Sequence, residues 1–115
     1  MNEPLLEFGG KKPRVGADVL LASGARLIGD VEIGAESSVW FNAVLRGDLN
    51  RVVVGHHTNI QDNAVCHVDV PAPCVLGNYV TVGHGAILHG CALRDEVLIG
   101  MGAVLMDGVM TWREE

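Results

Sequence analysis

Aromatic side chains are scarce in this chain: two Trp, two Phe and one Tyr make up 4% of its 115 residues. Apolar residues nevertheless account for 49% of the sequence. The chain therefore has enough apolar material for a dry core, and that core must be built from small and branched aliphatic side chains. The length suits one domain, and we expect residues 1–115 to form it.

The sequence also lacks an excess of positive charge. The formal net charge is −6 at pH 7, and the Arg and Lys residues are scattered rather than clustered in a stripe. Because nucleic acids and anionic membranes attract basic proteins, neither is expected as a partner. The first 13 residues carry charges and no long apolar run, so we identify no signal peptide, transit peptide or transmembrane segment.

Cysteine pairing motifs are missing as well. Cys66, Cys74 and Cys91 are odd in number and show no CxxC spacing. An even set of cysteines would be expected for a framework of disulfides in a secreted protein. We therefore predict reduced thiols and a cytoplasmic location.

What the sequence does contain is a six-residue repeat. An aliphatic residue or a cysteine recurs every six positions, and the frame shifts three times, with steps of 9, 10 and 5 residues. The repeated positions are Val15, Leu21, Leu27, Ile33, Val39, Leu45, Val54, Ile60, Cys66, Leu76, Val82, Leu88, Leu93, Ile99 and Leu105. Four residues after the first six of them come Val19, Ala25, Val31, Ser37, Ala43 and Leu49, which are mostly small. Such a repeat identifies the architecture before any single residue does.

A triangular coil explains this pattern. Each hexad would give one short strand and one corner, with the large aliphatic side chain pointing inward, the small one in the tight corner, and Gly relaxing the strain of the turn. Three hexads, about 18 residues, complete one coil, and stacked coils pair as parallel strands about 4.8 Å apart. We predict an all-β parallel β-helix of about five coils over residues 15–110. The extra residues around 71–73 should loop out without breaking the alignment, and fifteen matches to the repeat disfavour an ordinary β-sandwich.

The repeat assigns each position to one of three faces. Face A holds the hexads that start at 15, 33, 54, 76 and 93, face B those at 21, 39, 60, 82 and 99, and face C those at 27, 45, 66, 88 and 105. Arg46, His67 and His89 take the second position of successive face-C hexads, so we expect an outward-facing ladder. His56 and His57 lie on face A, where we interpret them as surface residues that at most bind adventitious metal as a pair.

His84 takes the third position of a face-B hexad, directly above Asp62. It should therefore not point to the same place as His67 and His89 within one chain. A cyclic trimer that presses face B of one subunit against face C of the next would bring the three together. Three histidines and a water are common in catalytic zinc sites, although imidazoles also suit iron, cobalt and nickel.

Six short stretches carry a further signal: LRGD at 45–48, NIQD at 59–62, CH at 66–67, VGH at 82–84, LHGC at 88–91 and IGMGA at 99–103. In these stretches, and over residues 15–107 as a whole, the sequence resembles the gamma-class carbonic anhydrases, a family of hexapeptide-repeat proteins. The resemblance implies a left-handed coil and a homotrimeric, zinc-dependent lyase, in which a metal-bound hydroxide at the subunit interfaces converts carbon dioxide reversibly to bicarbonate. It implies that His67 and His89 bind zinc from one subunit and His84 from the next, with iron or cobalt as alternative metals.

The resemblance implies further roles around the metal. Gln61 would hydrogen-bond the hydroxide, and Asn59 would orient Gln61. Arg46, Asp48 and Asp62 would form salt bridges near the site and across the interface. The catalytic candidates are therefore Gln61, Asn59, Arg46 and Asp62, with purely structural pairing as the alternative for Arg46 and Asp62.

Two departures from the family pattern stand out. Family members usually continue for several more coils and end in a helix, whereas here the pattern stops after Met110 and residues 111–115 do not continue it. We expect a C-terminally shortened member without a substantial helix, through natural truncation, a frameshifted end or a fragment. The loop at residues 70–73 also lacks the Glu that members with an acidic loop use to shuttle protons, which would limit turnover to proton transfer through buffer.

Two other functions stay open. A non-catalytic metal-binding or scaffold homologue would keep the same histidines with weak or no hydration activity. A hexapeptide-repeat acyltransferase would use one histidine as a general base, a chemistry that needs fewer histidines than this pattern offers.

Overall fold

The computed structural model describes residues 3–110, and the regular structure within this range consists of strands without a helix. The fourteen strands in this range are β1 (Leu5–Leu6), β2 (Arg14–Val15), β3 (Leu20–Leu21), β4 (Arg26–Ile33), β5 (Ser38–Val39), β6 (Val44–Val54), β7 (Asn59–Ile60), β8 (Val65–His67), β9 (Cys74–Leu76), β10 (Thr81–Val82), β11 (Ile87–His89), β12 (Ala92–Leu93), β13 (Leu98–Ile99) and β14 (Val104–Leu105). They wind into a left-handed parallel β-helix of about five coils, as predicted.

Strands of the same face stack in the predicted register on all three faces. The aligned columns are Val15, Ile33, Val54, Leu76 and Leu93 on face A, Leu21, Val39, Ile60, Val82 and Ile99 on face B, and Leu27, Leu45, Cys66, Leu88 and Leu105 on face C. Face B forms a separate five-stranded parallel sheet. The two long strands β4 and β6 instead continue around the corner from face C to face A.

The core is a column of aliphatic side chains inside the triangular coil. Leu27, Ile60 and Leu88 are fully buried in it. The buried corner residues Ser37 and Thr58 satisfy their hydroxyl groups by donating to the carbonyl oxygens of the next coil, at 2.7 and 2.8 Å. Close packing without large aromatic rings explains how a chain with so few of them builds a core.

The prediction that Leu49 occupies an inner corner of the coil was wrong. Leu49 is 60% exposed, and Val52 is buried in the corner instead, aligned with Val31 below and Cys74 above. The longer step between hexads at this point supplies extra residues, which turn outward before Val52 re-enters the core. The loop at residues 71–73 protrudes as predicted, because a bridge between Asp69 and Ala72 closes it and the strands on either side keep their register.

The prediction that Gly relaxes the strain of the turn was wrong for the glycines that directly follow the aliphatic position of a hexad. Gly34 and Gly55 have ordinary φ angles, whereas residues two positions later, such as His57 at 53° and Tyr79 at 57°, adopt the left-handed conformation of the turn. Glycine is needed because the next coil lies against it: a Cβ at Gly34 would be 2.6 Å from the carbonyl carbon of Gly55. The glycines thus permit the close stacking of coils.

The expectation for residues 111–115 lies outside the described residues. Within residues 3–110, no helix is long and apolar enough to cross a membrane.

Candidate metal centre

Two imidazoles stand side by side on face C. His67 ends β8 and His89 ends β11, and the two residues are paired in register on neighbouring strands. Their ring centroids are 5.0 Å apart at an interplanar angle of 71°, and both side chains are half-buried. Cys66 and Leu88, which precede them, are buried in the core. The backbone therefore fixes both rings on the outer surface of one face.

Asp48 connects this pair to the predicted arginine. His67 Nε2 lies 3.0 Å from Asp48 Oδ1, and Arg46 Nη1 donates to Asp48 Oδ2 at 2.6 Å. Burial raises the pKa of the Asp48 carboxyl, but hydrogen bonds from the Leu49 amide and from His67 outweigh it, so the pKa lies below its usual value. The salt bridge between Arg46 and Asp48 thus forms within one chain and holds His67.

Asp107 contacts the second imidazole, a contact that was not predicted from the sequence. His89 Nδ1 lies 2.5 Å from Asp107 Oδ1. The contact spans two coils, but the repeat that aligns Leu88 with Leu105 also places Asp107 beside Gly90, immediately after His89. Applying the register to the acidic residues as well as to the histidines would have found it.

His84 lies on face B, apart from the face-C pair. Its side chain is exposed, and its Nδ1 is 3.7 Å from Asp62 Oδ1 in the coil below. It lines an open groove of about 650 Å³ together with Trp40, Phe41 and Gln61. Within residues 3–110 of one chain, no three His, Cys, Asp or Glu side chains are arranged to hold a metal ion. The described part of one chain thus does not bring His84 to the face-C pair.

Three side chains linked by hydrogen bonds lie beside the same groove. Gln61 Nε2 donates to Asn59 Oδ1 at 2.9 Å, and Asn59 Nδ2 donates to Thr81 Oγ1 at 3.2 Å. Asn59 and Thr81 are paired on neighbouring strands of face B. With its amide nitrogen held by Asn59, Gln61 has a fixed orientation and turns its carbonyl oxygen away from Asn59. The structure brings Asn59 and Gln61 together and adds Thr81, which was not among the residues predicted from the sequence.

The remaining histidines lie on face A. His56 Nδ1 is 2.9 Å from His57 Nδ1, and His57 Nε2 is 3.3 Å from Glu36 Oε1. Tyr79 stacks on the His57 ring with centroids 4.8 Å apart. The two histidines lie apart from the face-C pair, as predicted, but they belong to a ring cluster rather than standing alone on the surface.

The donor set fits zinc. Imidazole nitrogens are common zinc ligands, and three of them are found in catalytic zinc sites. Metal-binding histidines are also commonly held by a carboxylate on their other nitrogen, and both His67 and His89 have such a carboxylate neighbour. Zinc binding at His67 would require the nitrogen that is not engaged by Asp48, or release of that contact.

Comparisons with known proteins place this geometry in context. No protein-family model matches the chain. Gamma carbonic anhydrase 2, mitochondrial, of Arabidopsis thaliana is 47% identical over 95% of the chain and 41% of its own length. A probable carbonic anhydrase of Methanocaldococcus jannaschii is 47% identical over 79% of the chain and 57% of its own length. The chain thus spans about half the length of these curated relatives. The crystal structure of a hexapeptide transferase family protein from Anaplasma phagocytophilum matches with a TM-score of 0.76 and 34% identity, over 96% of the chain and 79% of that protein.

Proposed function

Because the chain belongs to the family of hexapeptide-repeat proteins that includes the gamma carbonic anhydrases, we propose that it is a zinc-dependent carbonic anhydrase working as a homotrimer. The reaction is the reversible hydration of carbon dioxide to bicarbonate. One observation carries the proposal: two half-buried imidazoles lie on face C and a third lies exposed on face B. A ring of three chains that presses face B against face C repeats this junction at each interface and closes.

In this proposal His67 and His89 of one subunit and His84 of the partner subunit hold the zinc. When bound, zinc lowers the pKa of a coordinated water to about 7 and thereby supplies a nucleophile at neutral pH. Asp48 and Asp107 hold the rings of His67 and His89. The proposed metal is zinc, and iron or cobalt would use the same ligands.

Gln61 is proposed to orient the nucleophile. Its carbonyl oxygen can accept a hydrogen bond from the attacking water, which directs a lone pair of that water at the carbon of the substrate. Asn59 and Thr81 keep the Gln61 amide in this orientation through their hydrogen bonds. A rigid acceptor of this kind lowers the entropy lost on reaching the reactive geometry.

The product proton has to leave the site. Residues 70–73 contain no acidic side chain, so in this proposal the proton passes to dissolved buffer. The hydration rate should therefore rise with buffer concentration at fixed pH. The proposal also includes the cytoplasmic location predicted from the cysteine pattern.

Acyl transfer is the second candidate, because the matching Anaplasma structure is titled a hexapeptide transferase family protein. An acyltransferase would use a single histidine as general base and would need no metal. The requirement for zinc therefore separates the two candidates.

The test combines metal content, solution mass and carbon dioxide hydration of the purified chain. We expect a trimer with about one zinc per chain, at the interfaces that a closed ring repeats, and a hydration rate that depends on buffer. His67→Ala, His84→Ala and His89→Ala should each lose zinc and activity, whereas the matched control His57→Ala on face A should keep both. A zinc-loaded trimer without hydration at any buffer strength would support the non-catalytic alternative, and metal-free acyl transfer that survives His67→Ala would support the transferase.

A further inference from the structure

The contact between His89 and Asp107 identifies a residue that prepares the metal centre. We propose that Asp107 is a positioning residue, which fixes His89 in the tautomer with its proton on Nδ1 and so presents Nε2 to the metal. This inference rests on the proposed metal centre and assigns the atom through which His89 binds. It also gives the coil that begins at Leu93 a part in a site whose two face-C imidazoles lie in the two preceding coils.

The fold delivers the Asp107 carboxylate to the imidazole. Strand β14 stacks on β11 with Leu105 aligned on Leu88, and the Gly108 amide donates to the Gly90 carbonyl oxygen at 2.9 Å. Asp107 therefore lies above Gly90, the residue that follows His89. A Cβ at Gly90 would be only 2.6 Å from Asp107 Oδ1, so the missing side chain leaves the space in which the carboxylate reaches His89.

The chemistry of the two groups selects one tautomer. A neutral imidazole carries one proton, and a carboxylate can only accept a hydrogen bond. The nitrogen that faces Asp107 must therefore be the donor, and this nitrogen is Nδ1. The lone pair is left on Nε2, at the opposite side of the ring, where it is available to a metal ion. The carboxylate also fixes the orientation of the ring.

The test uses Asp107→Ala, which removes the acceptor, and Asp107→Asn, which keeps an acceptor oxygen without its charge. Asp18→Asn is the matched control, because Asp18 is an exposed carboxylate at the opposite end of the β-helix and Asn tolerates its φ of 58°. The first readout is the ¹⁵N spectrum of the His89 ring in metal-free protein, with His57 as an internal reference. The second is the zinc dissociation constant, measured by competition with a chelator.

We expect protonated Nδ1 at His89 in the wild-type protein and loss of this preference in Asp107→Ala. Zinc binding should weaken by about 10–100-fold in Asp107→Ala, less in Asp107→Asn, and not at all in Asp18→Asn. Circular dichroism establishes that each variant is folded, and Asp107→Asn supplies the comparison should Asp107→Ala not fold.

Two results would overturn the inference: protonated Nε2 at His89 in the metal-free wild-type protein, or an unchanged zinc dissociation constant in folded Asp107→Ala. Failure of the proposed function gives a different result. A wild-type protein that binds no zinc would refute the metal centre, while the ring spectrum of the metal-free protein would still show whether Asp107 sets the tautomer of His89.

Discussion

A single methyl group at Gly34 should disturb the stacking of coils. The Cβ of Gly34→Ala would lie 2.6 Å from the carbonyl carbon of Gly55 and 2.7 Å from the amide nitrogen of His56, whereas ordinary Cβ contacts begin at 3.4 Å. The difference between 3.4 and 2.6 Å is 0.8 Å, and backbone atoms must supply it. The hydrogen bond from the Gly34 amide to the Val54 carbonyl, at 2.8 Å, resists this movement.

The magnitude follows from the two opposing effects of the substitution. Overpacking of this kind costs about 1–3 kcal/mol. Alanine reduces the entropy of the unfolded chain, which offsets about 0.4–1 kcal/mol where the native φ suits it, as it does at Gly34. We therefore expect Gly34→Ala to lower the free energy of unfolding by about 1–2 kcal/mol.

Gly100 offers the matched control, because it takes the same hexad position and a Cβ there would meet no described atom within 4 Å. Gly100→Ala should be neutral or stabilising by up to about 1 kcal/mol. Urea unfolding at one fixed protein concentration measures both variants, since association changes the apparent stability. Equal effects of the two substitutions would refute the account of glycine as a spacer between coils.

Three further predictions concern the core, the thiols and acid stability. Leu45→Ala should lower the free energy of unfolding by about 2–5 kcal/mol because Leu45 is fully buried. Leu49→Ala should change it by less than about 0.5 kcal/mol because Leu49 is 60% exposed. Urea unfolding compares the two variants, and equal losses would contradict the assignment of Val52 rather than Leu49 to the corner. The neighbouring thiol of Cys66 raises the pKa of Cys74, and Cys74 in turn raises the pKa of Cys91. These buried thiols should therefore not react with a disulfide reagent at pH 8 until urea unfolds the chain. Rapid labelling of the folded protein would contradict their burial. The folded-state pKa of Asp48 is lowered, so the stability that Asp48 contributes is present above its unfolded-state pKa of about 3.9 and is lost as the pH falls through the folded-state pKa. Asp48→Asn should therefore flatten the dependence of the free energy of unfolding on acidic pH. An unchanged pH profile would show that Asp48 is not the source of this dependence.

The register of the coils could be predicted from the sequence because each aliphatic position needs burial. Ile60, Cys66 and Leu88 have to face inward, and a shift of one residue would expose them. The corner at Leu49 could not be predicted in the same way. A step of unequal length leaves open which of its residues turns inward, and packing in the next coil decides in favour of Val52.

The candidate site likewise has a part that the sequence predicted and a part that it did not. The faces of His67, His84 and His89 follow from counting hexads, and the structure places each where the count predicts it, while their role as ligands stays a prediction. The contact of Asp107 depends on a neighbouring coil and on the empty space beside Gly90. The sequence pattern within one coil does not reveal such a contact between neighbouring coils.

The most direct test of the central claim is zinc binding in mixed trimers. Neither His84→Ala nor the double variant His67→Ala/His89→Ala should bind zinc alone. When the two chains are refolded together in equal amounts, roughly one quarter of the interfaces should combine His67 and His89 of one chain with His84 of the other, and zinc should return there. Mixed trimers that bind no zinc, or full zinc binding by either variant alone, would contradict a metal centre shared between subunits.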